Sequence, residues 1–65
     1  MTPREIRAAL ILRGVKQRDV AQELGVSEAI VSQVISRKRT SERIERAIAR
    51  AIGRPVHEVF PKEVA

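Results

Sequence analysis

The sequence has no cysteine, tryptophan or tyrosine, and a single phenylalanine, Phe60. Without cysteine there are no disulfides and no thiolate metal sites, a composition compatible with a reducing compartment. With one aromatic among 43% apolar residues, the core must be built from Ile, Val, Leu and Ala. No apolar run approaches the roughly 20 residues of a membrane span, and no signal peptide is visible. His57, the lone histidine, stands beside Glu58 and reads as a solvated side chain, since one imidazole makes neither a triad nor a metal cage. The three glycines each close a helical segment, so none belongs to a phosphate-binding loop. The carboxylates are spread singly along helix surfaces, and a chain this short has little room for a cleft. The expectation is a non-enzyme with no cofactor, no metal and no small-molecule ligand.

What is present is charge of one sign. Thirteen Lys and Arg against eight Asp and Glu give a net charge of +5. Basicity alone fits a solubilising surface or a polyanionic partner. Its placement is more informative. Residues 1–36 carry five basic and four acidic groups, whereas residues 37–65 carry eight and four, beginning with Arg37, Lys38 and Arg39. A near-neutral segment followed by a basic one suits a division between reading bases and holding phosphates.

The chain reads as one domain over 1–65, near the lower size limit for a core that folds without staples. Its centre is the stretch 17–36, QRDVAQELGVSEAIVSQVIS. Val20, Ala21 and Leu24 share one helical face, and Val31 and Val34 share another, with Gly25 and Val26 between them. Gly25 ends the first helix and Ser27 caps the second, giving a helix-turn-helix. The second helix exposes Ser27, Glu28, Ala29, Ser32, Gln33 and Ser36, which are small or hydrogen-bonding groups suited to base edges. Gln33 suits adenine, Glu28 the cytosine amino group, and Ala29 a thymine methyl. Two readings of Ile30 stand: contact with a thymine methyl, or packing against the preceding helix. Gln17, at a helix start, is either a phosphate donor or a solvated helix-start residue.

Around this centre the spacing predicts three further segments. Thr2, Pro3 and Glu5 form a capping box that starts a helix ending near Arg13 and Gly14. Ile6, Ala9, Leu10 and the stem of Arg13 line its stripe, broadened by Ile11 and Leu12. Another helix runs from a Thr40 or Ser41 cap to Ile52, with Ile44, Ile48, Ala51 and Ile52 as its apolar stripe. Gly53 closes it, and 55–60 fits a short helical turn anchored by Val56, Val59 and Phe60. The residues around Phe60 either close the core or form a dimer surface. The tail at 61–65 is expected to fray. The predicted fold is all-α, a compact bundle of four to five helices.

From Ile6 to Phe60 the chain resembles the DNA-binding domain of the lambdoid phage repressor and Cro family, with the Ner-like phage regulators a near comparison. The resemblance rests on Gln17, Val20-Ala21, Leu24-Gly25-Val26, Val31, Val34 and the helix closed by Gly53. It implies a lambda repressor-like fold whose third helix enters the major groove of double-stranded DNA, usually as a homodimer on a near-palindromic operator. It further implies that Ser27, Glu28, Ala29, Ser32 and Gln33 face bases. Gln17, Ser36, Arg37, Lys38, Arg39 and Arg43 would approach the backbone. Two departures carry expectations. Arg37 stands where many relatives have Gly, and a left-handed cap without Gly costs roughly 1 kcal/mol, so the third helix should run on or end differently. Leu10 and Ile35 stand where some relatives bury an Arg–Glu pair, so an apolar pairing is expected there.

The leading function on this reading is transcriptional repression, exercised in the cytoplasm at the nucleoid of a bacterial or phage-infected cell. The alternatives are an architectural or recombination-linked DNA-binding factor, and an antitoxin-like protein-interaction module.

Overall fold

A computed structural model describes residues 1–61. The expected fraying of 62–65 lies outside the described residues. Five helices follow in order: α1 (Pro3–Leu12), α2 (Gln17–Leu24), α3 (Glu28–Ile35), α4 (Glu42–Ile52) and α5 (Val56–Val59). No strand occurs among the described residues. The all-α expectation holds.

Each start has a local cause. Thr2 Oγ1 accepts from the Glu5 N–H at 3.1 Å while Glu5 Oε1 accepts from the Thr2 N–H at 2.7 Å, the predicted capping box. The Thr2 backbone bond, helped by the Thr2 hydroxyl, holds the Glu5 carboxyl below its ordinary value. A lowered carboxylate favours the fold above its unfolded range and stops doing so as pH falls through the folded value. Lys16, with no acceptor on its side chain, is replaced in the capping role by Asp19, whose carboxylate accepts from the Lys16 N–H at 3.0 Å. Ser27 caps α3 through the Ile30 N–H at 3.2 Å. Ser41, rather than Thr40, caps α4 through the Ile44 N–H at 3.4 Å.

The ends share one device. After α1, α2 and α4 a glycine takes a left-handed φ, and the next residue's N–H bonds back to a carbonyl five residues earlier. These are Val15 to Leu10, Val26 to Ala21 and Arg54 to Ala49. The end of α3 corrects the sequence expectation. It neither runs on nor ends differently: Arg37 itself takes the left-handed position at φ 63, and Lys38 N–H bonds Gln33 O at 2.9 Å. The Arg37 guanidinium donates to the Met1 carbonyl, which sets a compensating contact against the backbone cost. Replacing Arg37 by Gly should raise stability by about 1 kcal/mol through relief of that cost. A urea melt checks this, and a lowered midpoint would show that the Met1 contact outweighs the backbone.

α4 packs against all four other helices. Ile44, Ile48, Ala49 and Ile52 of α4 join Ile6 and Leu10 of α1, Val20 and Ala21 of α2, and Val31, Val34 and Ile35 of α3 in one core. Val59 and Phe60 close it, both buried, whereas Val56, the third expected anchor, is 37% exposed at the first position of α5. Leu10 and Ile35 are both buried in this cluster, in keeping with the apolar substitution for an ion pair. The polar tie between α1 and α3 lies elsewhere: Arg7 Nη2 donates to Ser36 Oγ at 2.8 Å. Ile30 is half-buried against the core, which favours the packing reading over a free apolar contact. Two predicted stripe residues are wrongly placed. Ile11 and Leu12 are 76% and 87% exposed, because they sit about 100° and 200° round the helix from buried Leu10. Arg13 is also exposed.

Candidate nucleic-acid interface

α3 exposes Glu28, Ala29 and Gln33 and half-exposes Ser32, while Val31, Val34 and Ile35 face inward. The helical period alone makes this division, since 28, 29, 32, 33 and 36 fall on one side and 31, 34 and 35 on the other. Ser27 is exposed at the start of that face, its hydroxyl oxygen accepting the cap bond and its O–H still able to donate. Ser36, at the far end, is half-buried and already accepts from Arg7. The polar face expected from the sequence is therefore assembled as one surface, with Ser36 partly committed to the interior tie.

The residues expected near phosphate divide into three groups. Gln17 is half-buried as the first residue of α2. It lines an open groove together with Arg7, Lys16, Arg18 and Glu28, over a floor of Leu10, Ile11, Gly14 and Val15. This groove brings the start of α2 beside the start of α3. Arg37, Lys38 and Arg39 are exposed in the connection that leaves the other end of α3. Arg39 Nε donates to Gln33 Oε1 at 3.2 Å, so this basic side chain folds back onto the polar face. Arg43 stands apart, its Nη2 donating to the Leu24 carbonyl at 3.0 Å, which ties α4 to the end of α2.

Sequence reasoning missed the first cationic group. Lys16 and Arg18 have no role in that reading, yet together with Gln17 they border the groove beside Glu28 at the start of α3. The available signal was the consecutive Lys16-Gln17-Arg18 at a helix start. It also missed Glu45, the one buried charged residue among those described, whose Oε2 accepts from the Ser41 N–H at 3.4 Å. That bond completes the cap of α4 and explains the burial.

No group of three His, Asp or Glu converges to hold a metal among the described residues. No helix among them is long and apolar enough to cross a membrane.

A helical hairpin with a polar outer face and cations at its margins is a DNA-binding surface in kind, and comparison with family models decides the matter. A family model described as winged helix-turn-helix DNA-binding matches residues 1–63. The chain belongs to the winged helix-turn-helix DNA-binding family. Binding of double-stranded DNA through the helix-turn-helix follows from that membership. No curated protein and no solved structure matches the chain. A wing is a β-hairpin beside the recognition helix, and this member shows none over residues 1–61. The segment that follows α3 is the basic connection at 36–41 instead.

Proposed function

We propose that the protein is a transcriptional repressor of the phage repressor and Cro type, with no enzymatic activity. In this reading it inserts α3 into the major groove and binds as a homodimer to a near-palindromic operator. The observation that carries the reading is the pair of cationic margins at opposite ends of α3. Lys16 and Arg18 lie by its start, and Arg37, Lys38 and Arg39 follow its end. With its side chains an α-helix is about 10–12 Å across, which fits the roughly 12 Å width of the major groove. Cations beyond both ends of α3 can then meet phosphates while its polar face meets the bases.

Dimerisation is supported by what α3 lacks. It carries no Lys or Arg and one acid, Glu28, so its own face adds little electrostatic affinity. Two copies with recognition helices about 34 Å apart reach successive major grooves on one side of the duplex.

Selection from a randomised duplex library, followed by binding titrations, tests the reading. A palindromic motif supports it. Gln33→Ala should cost about 1–3 kcal/mol at a single base pair of the selected site. Lys38→Ala should weaken all duplexes alike and reduce the salt slope by about one charge. An unchanged preferred sequence for Gln33→Ala would remove α3 from the role of reader.

One observation favours a second reading. Ile11 and Leu12 are exposed apolar side chains on α1, and Leu12 lies outside the groove that Ile11 shares with Glu28. A protein-interaction module of the antitoxin kind would use such a pair. Loss of partner binding in Leu12→Ser with DNA binding intact would support that reading.

A further inference from the structure

Arg39 and Gln33 belong to different segments, yet they meet at the outer edge of α3. Arg39 Nε–H donates to Gln33 Oε1 at 3.2 Å, and both residues are exposed. A guanidinium has only donors, so the amide atom it bonds must be the oxygen, and the orientation of the Gln33 amide follows from chemistry. Gln33 then offers its Nε2 hydrogens and the second lone pair of Oε1, and Arg39 offers the hydrogens of Nη1 and Nη2. Apart from that one lone pair, every group left free on this pair is a donor.

That tips the balance away from the adenine reading that glutamine alone suggests. Bidentate recognition of adenine requires Oε1 to accept from N6 while it already accepts from the Arg39 cation, and it leaves the Arg39 donors without an acceptor on that base. Guanine presents two acceptors, N7 and O6, on its major-groove edge; thymine presents one, and cytosine presents a donor. We infer that Gln33 and Arg39 act together as a donor-rich reader of guanine. Arg39 fixes the Gln33 amide and contributes its own N–H groups to the same base edge. This rests on the placement of α3 in the major groove proposed above. It moves Arg39 from the phosphate-holding set to the base-reading set. It also supplies the cation that α3 does not carry in its own sequence.

The test is selection from a randomised duplex library by the wild-type chain, Gln33→Ala, Arg39→Ala and Arg39→Lys. Titrations on the selected duplex and its single-pair variants follow. Gln33→Ala identifies the pair facing residue 33 as the one whose preference it loses. Wild type should prefer guanine at that pair. Arg39→Ala should bind the selected duplex about tenfold more weakly or worse. At that pair alone it should shift towards adenine, because Gln33 Oε1 is released. Arg39→Lys keeps the charge but loses the planar fork, and should lose guanine preference as well. Replacing that guanine by 7-deazaguanine, which lacks the N7 acceptor, should weaken wild type more than Arg39→Ala.

A motif that Arg39→Ala leaves intact, with affinity falling equally on all sequences, overturns the inference and returns Arg39 to phosphate contact. Salt-sensitive binding with no motif overturns the base-reading role of α3 itself, and this inference with it. Arg39 is exposed in a connection, so thermal melts of its variants should match wild type and separate these outcomes from unfolding.

Discussion

Ile48→Ala should abolish most of the domain's stability. Ile48 is fully buried on α4, the helix that touches every other helix. Truncating a buried Ile to Ala costs about 2–5 kcal/mol in lost transfer energy and residual cavity. A single core in a domain below about 70–80 residues rarely supplies more than about 3–5 kcal/mol. The variant should therefore be largely unfolded by circular dichroism at room temperature, or nearly so. With a urea slope of about 1 kcal/mol/M for so small a protein, the midpoint should fall by about 2 M or more. Ile11→Ala is the control, with the same chemical change at an exposed position of α1 and an expected effect within about 0.5 kcal/mol. Equal effects at the two positions would mean that α4 is not the centre of the core.

Phe60→Ala should cost about 3–5 kcal/mol. Phe60 is the only aromatic in the chain and is 6% exposed beneath α4, beside buried Val59. It lines, with Glu45, two shallow clefts on either side of the start of α4. Its removal should open them to water and expose the one buried carboxylate as well. If Phe60 serves the core, the loss is the same at every protein concentration. A melting temperature that climbs with concentration in wild type and ceases to do so in Phe60→Ala would assign the ring to a dimer contact.

The positions that were legible in the sequence are those whose cause lies within a few residues. Thr2 with Glu5, Ser27 and Ser41 announce helix starts, because a side-chain oxygen three residues before an N–H is a local geometry. Gly14, Gly25 and Gly53 announce helix ends for the same reason. The polar face of α3 is equally readable, since periodicity fixes it. Arg37 was not legible: its left-handed backbone is held by the helix end it closes and by a contact with Met1, far away in sequence. The width of the α1 stripe was not legible either. Periodicity gives directions round a helix but not how many neighbours cover it, and only α3 and α4 pack closely on α1. At the candidate interface, the residue types were visible and their partnerships were not. Nothing in the spacing joins Arg39 to Gln33, Arg43 to the Leu24 carbonyl, or Arg7 to Ser36. Long cationic side chains choose partners in three dimensions, and those choices decide which of them remain available to a nucleic acid.

The repeated helix ending has a kinetic consequence. Four of the five helices close on themselves through backbone bonds spanning five residues, the next helix beginning a few residues later. Two pairs of sequence neighbours pack on each other, α2 with α3 and α4 with α5, while α1 packs on α3 and α4. Little loop-closure entropy stands before the earliest tertiary contacts, so refolding should fall in the microsecond-to-millisecond range of small helical bundles. A single core of this size leaves little stability in reserve, so openings should be frequent and, with refolding on that timescale, brief.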